Sequence, residues 1–134
     1  MPYANNASIK LYYEIHGPAD APQTIVFAHG AGGNALSWWQ QIPEFARRHR
    51  VIVFDHRGFS RSKCEEADQS AIHFESDLIA ILDAESIDSV TIVCQSMGGW
   101  TGVRTAVHYS QRVNAVLLGN TPGAITNDLV QRNW

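Results

Sequence analysis

Cysteine, basic charge and long apolar runs are all scarce in this 134-residue chain. Two cysteines, Cys64 and Cys94, are too few for a disulfide framework and lack a metal-ligand spacing, which favours a reducing cytoplasm. Ten basic residues against thirteen acidic ones give a net charge of −3, so no nucleic-acid partner and no anionic membrane surface is indicated. The apolar runs are strand-sized, and no basic and then apolar leader follows Met1.

The composition is that of a folded protein. Hydrophobic residues make up 45% of the chain and charged residues 17%, which argues against disorder. A length of 134 residues lies in the common range for one domain, so we take 1–134 as a single domain.

Apolar, β-branched runs alternate with helical patterns along the chain. Strands are predicted at residues 8–16, 24–28, 50–54, 90–93 and 113–118. Helices are predicted at 36–49 with a break near Pro43, after a Ser70 cap, and at 96–110. Trp38 and Trp39 are expected to pack in the core. This alternation predicts an α/β fold with a mostly parallel sheet and helices on both faces.

The stretch from Val90 to Trp100 carries the most informative motif of the sequence. An apolar run ends at Ser96, and a helical pattern begins directly behind it. Gly98 is the small residue two places after the serine, and Cys94 stands two places before it. This arrangement is typical of the G-x-S-x-G nucleophile elbow. The alternative is a strand followed by an ordinary serine-capped helix.

Loops at three predicted strand ends carry polar and glycine-rich sequence. They are His29–Asn34, Asp55–Ser62 and Gln95–Met97. Ligands of parallel sheets bind beyond the carboxyl ends of the strands, so we expect these loops to meet at one sheet edge.

Together these segments resemble the amino-terminal part of an α/β-hydrolase-fold enzyme. The resemblance rests on His29-Gly30 with its glycine loop, on residues 55–62 and 94–99, and on the strand and turn at 113–123. Two positions depart from the family pattern: Cys94 replaces the first elbow glycine, and Ser60 replaces a glycine of the D-x-R-G-x-G-x-S loop. The resemblance implies an incomplete hydrolase core, without the later strands, cap and helices.

The resemblance also implies roles for individual residues. Ser96 matches the nucleophile that forms an acyl-enzyme. The backbone N–H groups of Met97 and Ala31 match the two oxyanion-hole donors. Residues expected to shape the surrounding loops are His29, Gly30, Asp55, Arg57 and Gly98, and Asp55 is expected to hold its loop, with Arg57 as its partner. No metal and no cofactor is implied.

The acid and the base of a triad are missing from these matches. The family order is serine, acid, histidine, whereas Gly119-Asn120-Thr121, after the last predicted strand, offers no carboxylate. Asp128 lies too far along the chain. His108 lies about 18 Å from Ser96 at ~1.5 Å per helical residue, which is beyond hydrogen-bond reach. His29 and His56 are expected to shape loops rather than act as bases.

Two classes of function follow. The first is a serine hydrolase acting on a small ester, lactone, thioester or activated C–C bond, with activity in doubt while the triad is incomplete. The second is a non-catalytic, self-associating interaction module that retains the fold. An unpaired edge at the last strand predicts a homo-oligomer or a complementing chain. Three accounts of the incomplete core are ranked in this order. The chain is a fragment of a longer enzyme, or it pairs with a second copy or another polypeptide that completes the sheet, or it is a degenerate, non-catalytic member of the family.

Overall fold

The computed structural model describes residues 2–121 and 123–124. Their strands form one six-stranded sheet in the order β1-β2-β4-β3-β5-β6. The strands are β1 (Tyr3–Asn6), β2 (Ile9–His16), β3 (Thr24–Ala28), β4 (Arg50–Phe54), β5 (Val90–Gln95) and β6 (Val113–Gly119). The α-helices are α1 (Gln41–Phe45), α2 (Phe74–Ala84) and α3 (Gly98–His108), and 3-10 turns lie at Ala35–Trp38, Glu66–Asp68, Ala71–His73 and Ser110–Arg112.

The predicted α/β architecture is confirmed. Strands β4, β3, β5 and β6 run parallel, whereas β1 and β2 are antiparallel additions at one edge. All five residues of β3 are buried, as expected for a strand covered on both faces. Strand β1 was not predicted, because its sequence YANN carries no strand pattern. It forms by hairpin pairing with β2 from Tyr3 opposite Tyr12 to Asn6 opposite Ile9.

Alternate residues of the central strands pack on opposite faces of the sheet. On one face Ile52 and Ile92 lie in a cluster with α2 residues such as Leu78. On the other face Val51 and Phe27 pack with residues of the first 3-10 turn and α1. The prediction of helices on both faces is therefore confirmed.

The helical segment around Pro43 is shorter and more broken than predicted. A 3-10 turn ends at Trp38, and α1 contains only Gln41–Phe45. Trp38 stacks on Phe27 with ring centroids 4.9 Å apart. The expectation that Trp39 packs in the core was wrong: it is 66% exposed, because adjacent residues on a helical turn point in different directions.

Strand β6 forms one edge of the sheet in the described part of the chain and pairs there only with β5. Leu117 and Leu118 on this strand are 57% and 48% exposed. No helix among the described residues is long and apolar enough to cross a membrane. The tail after Ala124, including Asp128, lies outside the described residues.

Candidate active site

The three loops singled out in the sequence meet at the carboxyl edge of the parallel strands. Ala28 at the end of β3 pairs with Cys94 of β5, which places the His29 loop beside Ser96. A Cβ on Gly30 would stand 2.2 Å from Oε1 of Gln95, so the Gln95 side chain lies directly over this glycine and the two loops are in contact. The backbone N–H of His56 reaches the ring of His29, which joins the third loop to the other two.

Ser96 occupies a strained turn between β5 and α3. Its φ of 50° is left-handed, a conformation that costs a residue with a side chain about 1–2 kcal/mol. The Ser96 N–H donates to the carbonyl of Gly119 at 3.1 Å, which ties the turn to β6. A Cβ on Gly98 would stand 2.2 Å from the Ala28 carbonyl oxygen, so α3 can begin this close to β3 only with glycine. This is the geometry of a nucleophile elbow.

Cys94 at the first small position of the elbow is a packing group. Its side chain is 1% exposed, and burial raises the pKa of the thiol to about 12. A Cβ on Gly102 of α3 would stand 2.3 Å from the Cys94 sulfur. The helix therefore accommodates the larger cysteine by presenting glycine opposite it.

Two backbone N–H groups, one directly after the serine and one in the loop after β3, have no hydrogen-bond partner in the described structure. Within the described residues, neither the N–H of Met97 nor that of Ala31 donates a hydrogen bond. Ala31 lies in the exposed glycine loop, and Met97 immediately precedes the first turn of α3. Unpaired donors beside a serine are suited to binding a developing oxyanion.

His29 is fully buried and uses both ring nitrogens within the loops. Its Nε2 accepts from the N–H of His56 at 3.0 Å, so Nδ1 carries the proton and donates to the Gly30 carbonyl at 2.7 Å. Burial lowers the pKa of His29, and the Gly30 carbonyl and Asp55 oppose this shift only in part. The neutral imidazole therefore connects the loops after β3 and β4.

Asp55 fastens the same two loops from its buried position. Its carboxylate accepts from the Ala35 N–H at 2.7 Å and from Nε of Arg61 at 2.8 Å. Burial alone would raise the pKa of Asp55, but the hydrogen bonds from Arg61 and Ala35 outweigh it and lower the pKa. The expectation that Arg57 partners Asp55 was wrong, because Arg61 is close enough to take that place.

Arg57 instead joins its loop to α2. Its Nε donates to Oδ2 of Asp77 at 2.6 Å, and its Nη2 donates to the other carboxylate oxygen. Asn6 of β1 also donates to Asp77, at 2.8 Å. Sequence reasoning missed Asp77, although a carboxylate between Phe74 and Ile81 on the apolar face of a predicted helix was a usable signal.

His56 lies in the same core and was also expected to shape its loop. Its Nε2 is 2.7 Å from the Thr101 hydroxyl on α3, and its Nδ1 is buried without a partner among the described residues. Burial, and then the neighbouring His29, lower the pKa of His56 well below the ordinary value. Thr101 was missed because it lies 45 residues away along the chain.

No described side chain forms a hydrogen bond with the Ser96 hydroxyl. None of the six histidines of the chain hydrogen bonds to the serine hydroxyl in the described structure. His108, at the end of α3, contacts Glu75 at 3.0 Å and is half exposed. Among the described residues, no three His, Cys, Asp or Glu side chains cluster so as to hold a metal ion.

Comparison with known proteins places this geometry in a family. The sequence profile of the α/β hydrolase fold matches residues 23–134. Over 120 residues the chain is 35% identical to a RutD protein of Azorhizobium caulinodans, named as a carbamate hydrolase, covering 90% of this chain and 44% of that protein. It is also 35% identical over 117 residues to 3-oxoadipate enol-lactonase 2 of Acinetobacter baylyi, covering 87% and 43%.

A solved structure shows the same architecture. Est816, described as an N-acyl homoserine lactone degrading enzyme, superposes with a TM-score of 0.84 at 32% identity and covers 90% of this chain and 45% of that one. The chain thus spans less than half the length of the relatives it matches. Profile, relatives and superposition agree with the six-stranded sheet and its helices: the chain belongs to the α/β-hydrolase fold family.

Proposed function

We propose that this chain carries the nucleophile and oxyanion hole of a serine hydrolase. The observation that supports it best is the left-handed Ser96 between β5 and α3, together with the unpaired N–H groups of Met97, directly after it, and of Ala31 in the loop after the neighbouring strand β3. An ordinary serine-capped helix needs neither the strained φ nor a second donor from another loop.

The chemistry follows from this arrangement. The Ser96 oxygen adds to a carbonyl carbon while its proton passes to a base, and the carbonyl oxygen becomes an oxyanion that the N–H groups of Met97 and Ala31 stabilise. One such donor is worth roughly 3 kcal/mol in the transition state. The tetrahedral intermediate expels the leaving group with a proton to give an acyl-enzyme. Attack by water then releases the acid and restores the serine.

The general base and its acid partner come from polypeptide outside the described residues. His29 has both nitrogens engaged, and His56 is held on Thr101 in the core. To act as a base, His29 would have to break a structural hydrogen bond, and the free Nδ1 of His56 is buried in the core. We therefore assign His29, Gly30, Asp55, Arg57 and Gly98 to shaping the site and not to proton transfer.

The substrate class is a small ester or lactone. The name of one relative describes an enol-lactonase, and that of a solved neighbour describes a lactone-degrading enzyme, both at 32% identity or above. Both names denote cleavage of an acyl–oxygen bond, the reaction that an activated serine performs. A cytoplasmic location and the absence of a cofactor belong to the same proposal.

Acylation of Ser96 is the direct test. The folded chain is incubated with p-nitrophenyl acetate, with and without added imidazole as a substitute base, and the acetylated peptide is located by mass spectrometry. We expect acetylation at Ser96 that imidazole accelerates. The label is lost in Ser96→Ala and retained in Ser60→Ala, a matched control because Ser60 is an exposed serine with a similar φ of 45°. Folded protein that shows no label at Ser96 under either condition contradicts the proposal.

A second candidate function is a non-catalytic interaction module. The exposed Leu117 and Leu118 on the edge strand β6 favour it, because apolar edges promote association. Self-association without acylation of Ser96 would support this function over the first.

A further inference from the structure

A small open cleft shares one residue with the elbow. Its volume is about 150 Å³, and it is lined by Phe59, Gln69, Ser70, Ala71, Phe74 and Met97. Met97 follows Ser96 directly, and neighbouring Cα atoms are about 3.8 Å apart, so one wall of the cleft is the residue adjacent to the proposed nucleophile. Three elements supply its walls: the loop after β4, the approach to α2, and the elbow.

The lining of the cleft is uncharged. Phe59, Phe74, Ala71 and Met97 provide apolar surface, and Gln69 and Ser70 provide a neutral polar rim. A charged ligand group would lose its hydration there without gaining an ionic partner. The lining therefore selects an uncharged group with an apolar body.

Packing beneath the cleft keeps its walls in place. Phe74 is 2% exposed and lies against the His56 ring, with centroids 4.4 Å apart. The Phe59 ring meets the His29 ring edge-on at 5.5 Å. The Gln69 side chain covers Gly58, where a Cβ would stand 2.6 Å from the Gln69 carboxamide carbon. A preformed cleft of this kind is typical of a ligand site.

The size of the cleft limits its ligand. A cavity of about 150 Å³ in another protein binds benzene. We infer that this cleft is a substrate subsite for a compact, uncharged group of about the size of a phenyl ring, on an ester or lactone whose carbonyl is attacked by Ser96. The inference rests on the proposed function for its substrate, whereas the cleft binds such a group whether or not Ser96 reacts.

Methionine NMR can detect this binding directly. The chain contains two methionines, Met1 and Met97, so labelling with methyl-¹³C methionine gives two methyl signals, and Met97→Leu identifies the one from the cleft. Titration with benzyl alcohol, an uncharged ring with one hydroxyl, is expected to shift the Met97 signal saturably, because the ring current acts at short range. Benzoate, the charged analogue, is expected to bind more weakly.

Two matched variants locate the ligand. Ala71→Phe fills the cleft and is expected to remove the saturable shift, and Ala71→Leu, a smaller change that is easier to fold around, is expected to weaken it. Ile72→Phe adds the same bulk at an adjacent side chain that is 54% exposed and outside the cleft, so it leaves the shift intact. No shift of Met97, an unchanged shift in both Ala71 variants, or equal binding of benzoate would overturn the inference.

The result is independent of the test of Ser96. Ser96→Ala is expected to retain the benzyl alcohol shift, because the cleft does not use the hydroxyl. If the Met97 signal shifts but Ser96 is not acylated, the proposed function is contradicted and the subsite is supported. If Ser96 is acylated but the Met97 signal does not shift, the subsite is contradicted and the proposed function is supported.

Discussion

Three serines among the described residues hold left-handed backbone conformations, Ser60, Ser86 and Ser96, and the strain at Ser96 accomplishes something different from that at Ser60. Ser96 has a φ of 50° at the elbow, where the sharp turn places it beyond the end of β5. Ser60 has a φ of 45° in the loop after β4, at a position where the family pattern often has glycine. Its side chain is exposed, and the structure gives it no hydrogen-bond partner among the described residues.

Ser60→Gly is expected to stabilise the protein. Removing the Cβ relieves about 1–2 kcal/mol of left-handed strain. The greater conformational freedom of glycine in the unfolded chain offsets roughly 0.5–1 kcal/mol of this stabilisation. The net increase in the free energy of unfolding is therefore roughly 0.5–1 kcal/mol, measured by urea denaturation. Ser60→Ala keeps the strain and is the control; equal stability of the two variants would contradict this account.

The buried pair His29 and His56 makes stability depend on pH. Burial lowers both pKa values, so the unfolded chain binds more protons than the folded one once the pH falls below the ordinary histidine value of about 6.5. The two neutral histidines contribute fully to the free energy of unfolding above that pH. This contribution is lost as the pH falls towards their pKa values in the folded state. Urea denaturation between pH 7.5 and 5 is expected to show the free energy of unfolding decreasing with acid.

A non-titrating variant separates this effect from others. His56→Gln is expected to flatten the pH dependence, because one of the two buried titrating rings is gone. His108→Gln changes a half-exposed histidine and keeps both buried ones, so the dependence stays. Asp55, a buried carboxylate that acts on His29, has a lowered pKa and titrates at a lower pH than this window. An unchanged slope in His56→Gln would exclude it as a source.

At the scale of elements, the close contact of α3 with β3 and β5 builds the elbow. Gly98 allows the helix to start against the Ala28 carbonyl, and Gly102 receives the sulfur of Cys94 one turn later. Thr101 on the same helix bonds to His56, which ties α3 to the loop after β4. The orientation of Ser96 therefore depends on how closely this helix approaches the sheet.

Cys94 and Gly102 are expected to be energetically coupled. Gly102→Ala adds a methyl group where the cysteine sulfur lies and is expected to cost about 1–3 kcal/mol by overpacking. In a Cys94→Gly background the same change is expected to cost less, since the sulfur is gone, only Cγ1 of Val116 remains close at 3.0 Å, and alanine favours the helix. A double-mutant cycle measured by urea denaturation tests this, and additive free energies would show that the two positions are independent.

At the scale of the whole molecule, the two sheet edges differ. On one side the β1–β2 hairpin closes the sheet, with Tyr3 packed edge-on against Tyr12 at 5.5 Å. On the other side β6 pairs only with β5 among the described residues and exposes Leu117 and Leu118. The second edge therefore presents apolar aliphatic side chains to another strand.

We expect this edge to cause self-association. Sedimentation at micromolar concentrations is expected to show a concentration-dependent oligomer, because an apolar edge strand offers both unpaired backbone groups and buried area to a second copy. Leu117→Lys is expected to shift the protein towards monomer. Val107→Lys replaces a side chain that is 69% exposed on α3 and leaves β6 itself unchanged, and it is the control. A monomer at every concentration would contradict the prediction.

The sequence by itself determined the strands at 24–28 and 50–54, the α/β class and the position of the elbow, because each depends on apolar runs and small residues only a few places apart. It could not determine partners distant along the chain. Asp55 forms a hydrogen bond with Arg61, and Arg57 forms one with Asp77. His56 forms a hydrogen bond with Thr101, and Trp39 is exposed. Only tertiary structure decided these, since several candidates were compatible with the local pattern and packing selected one.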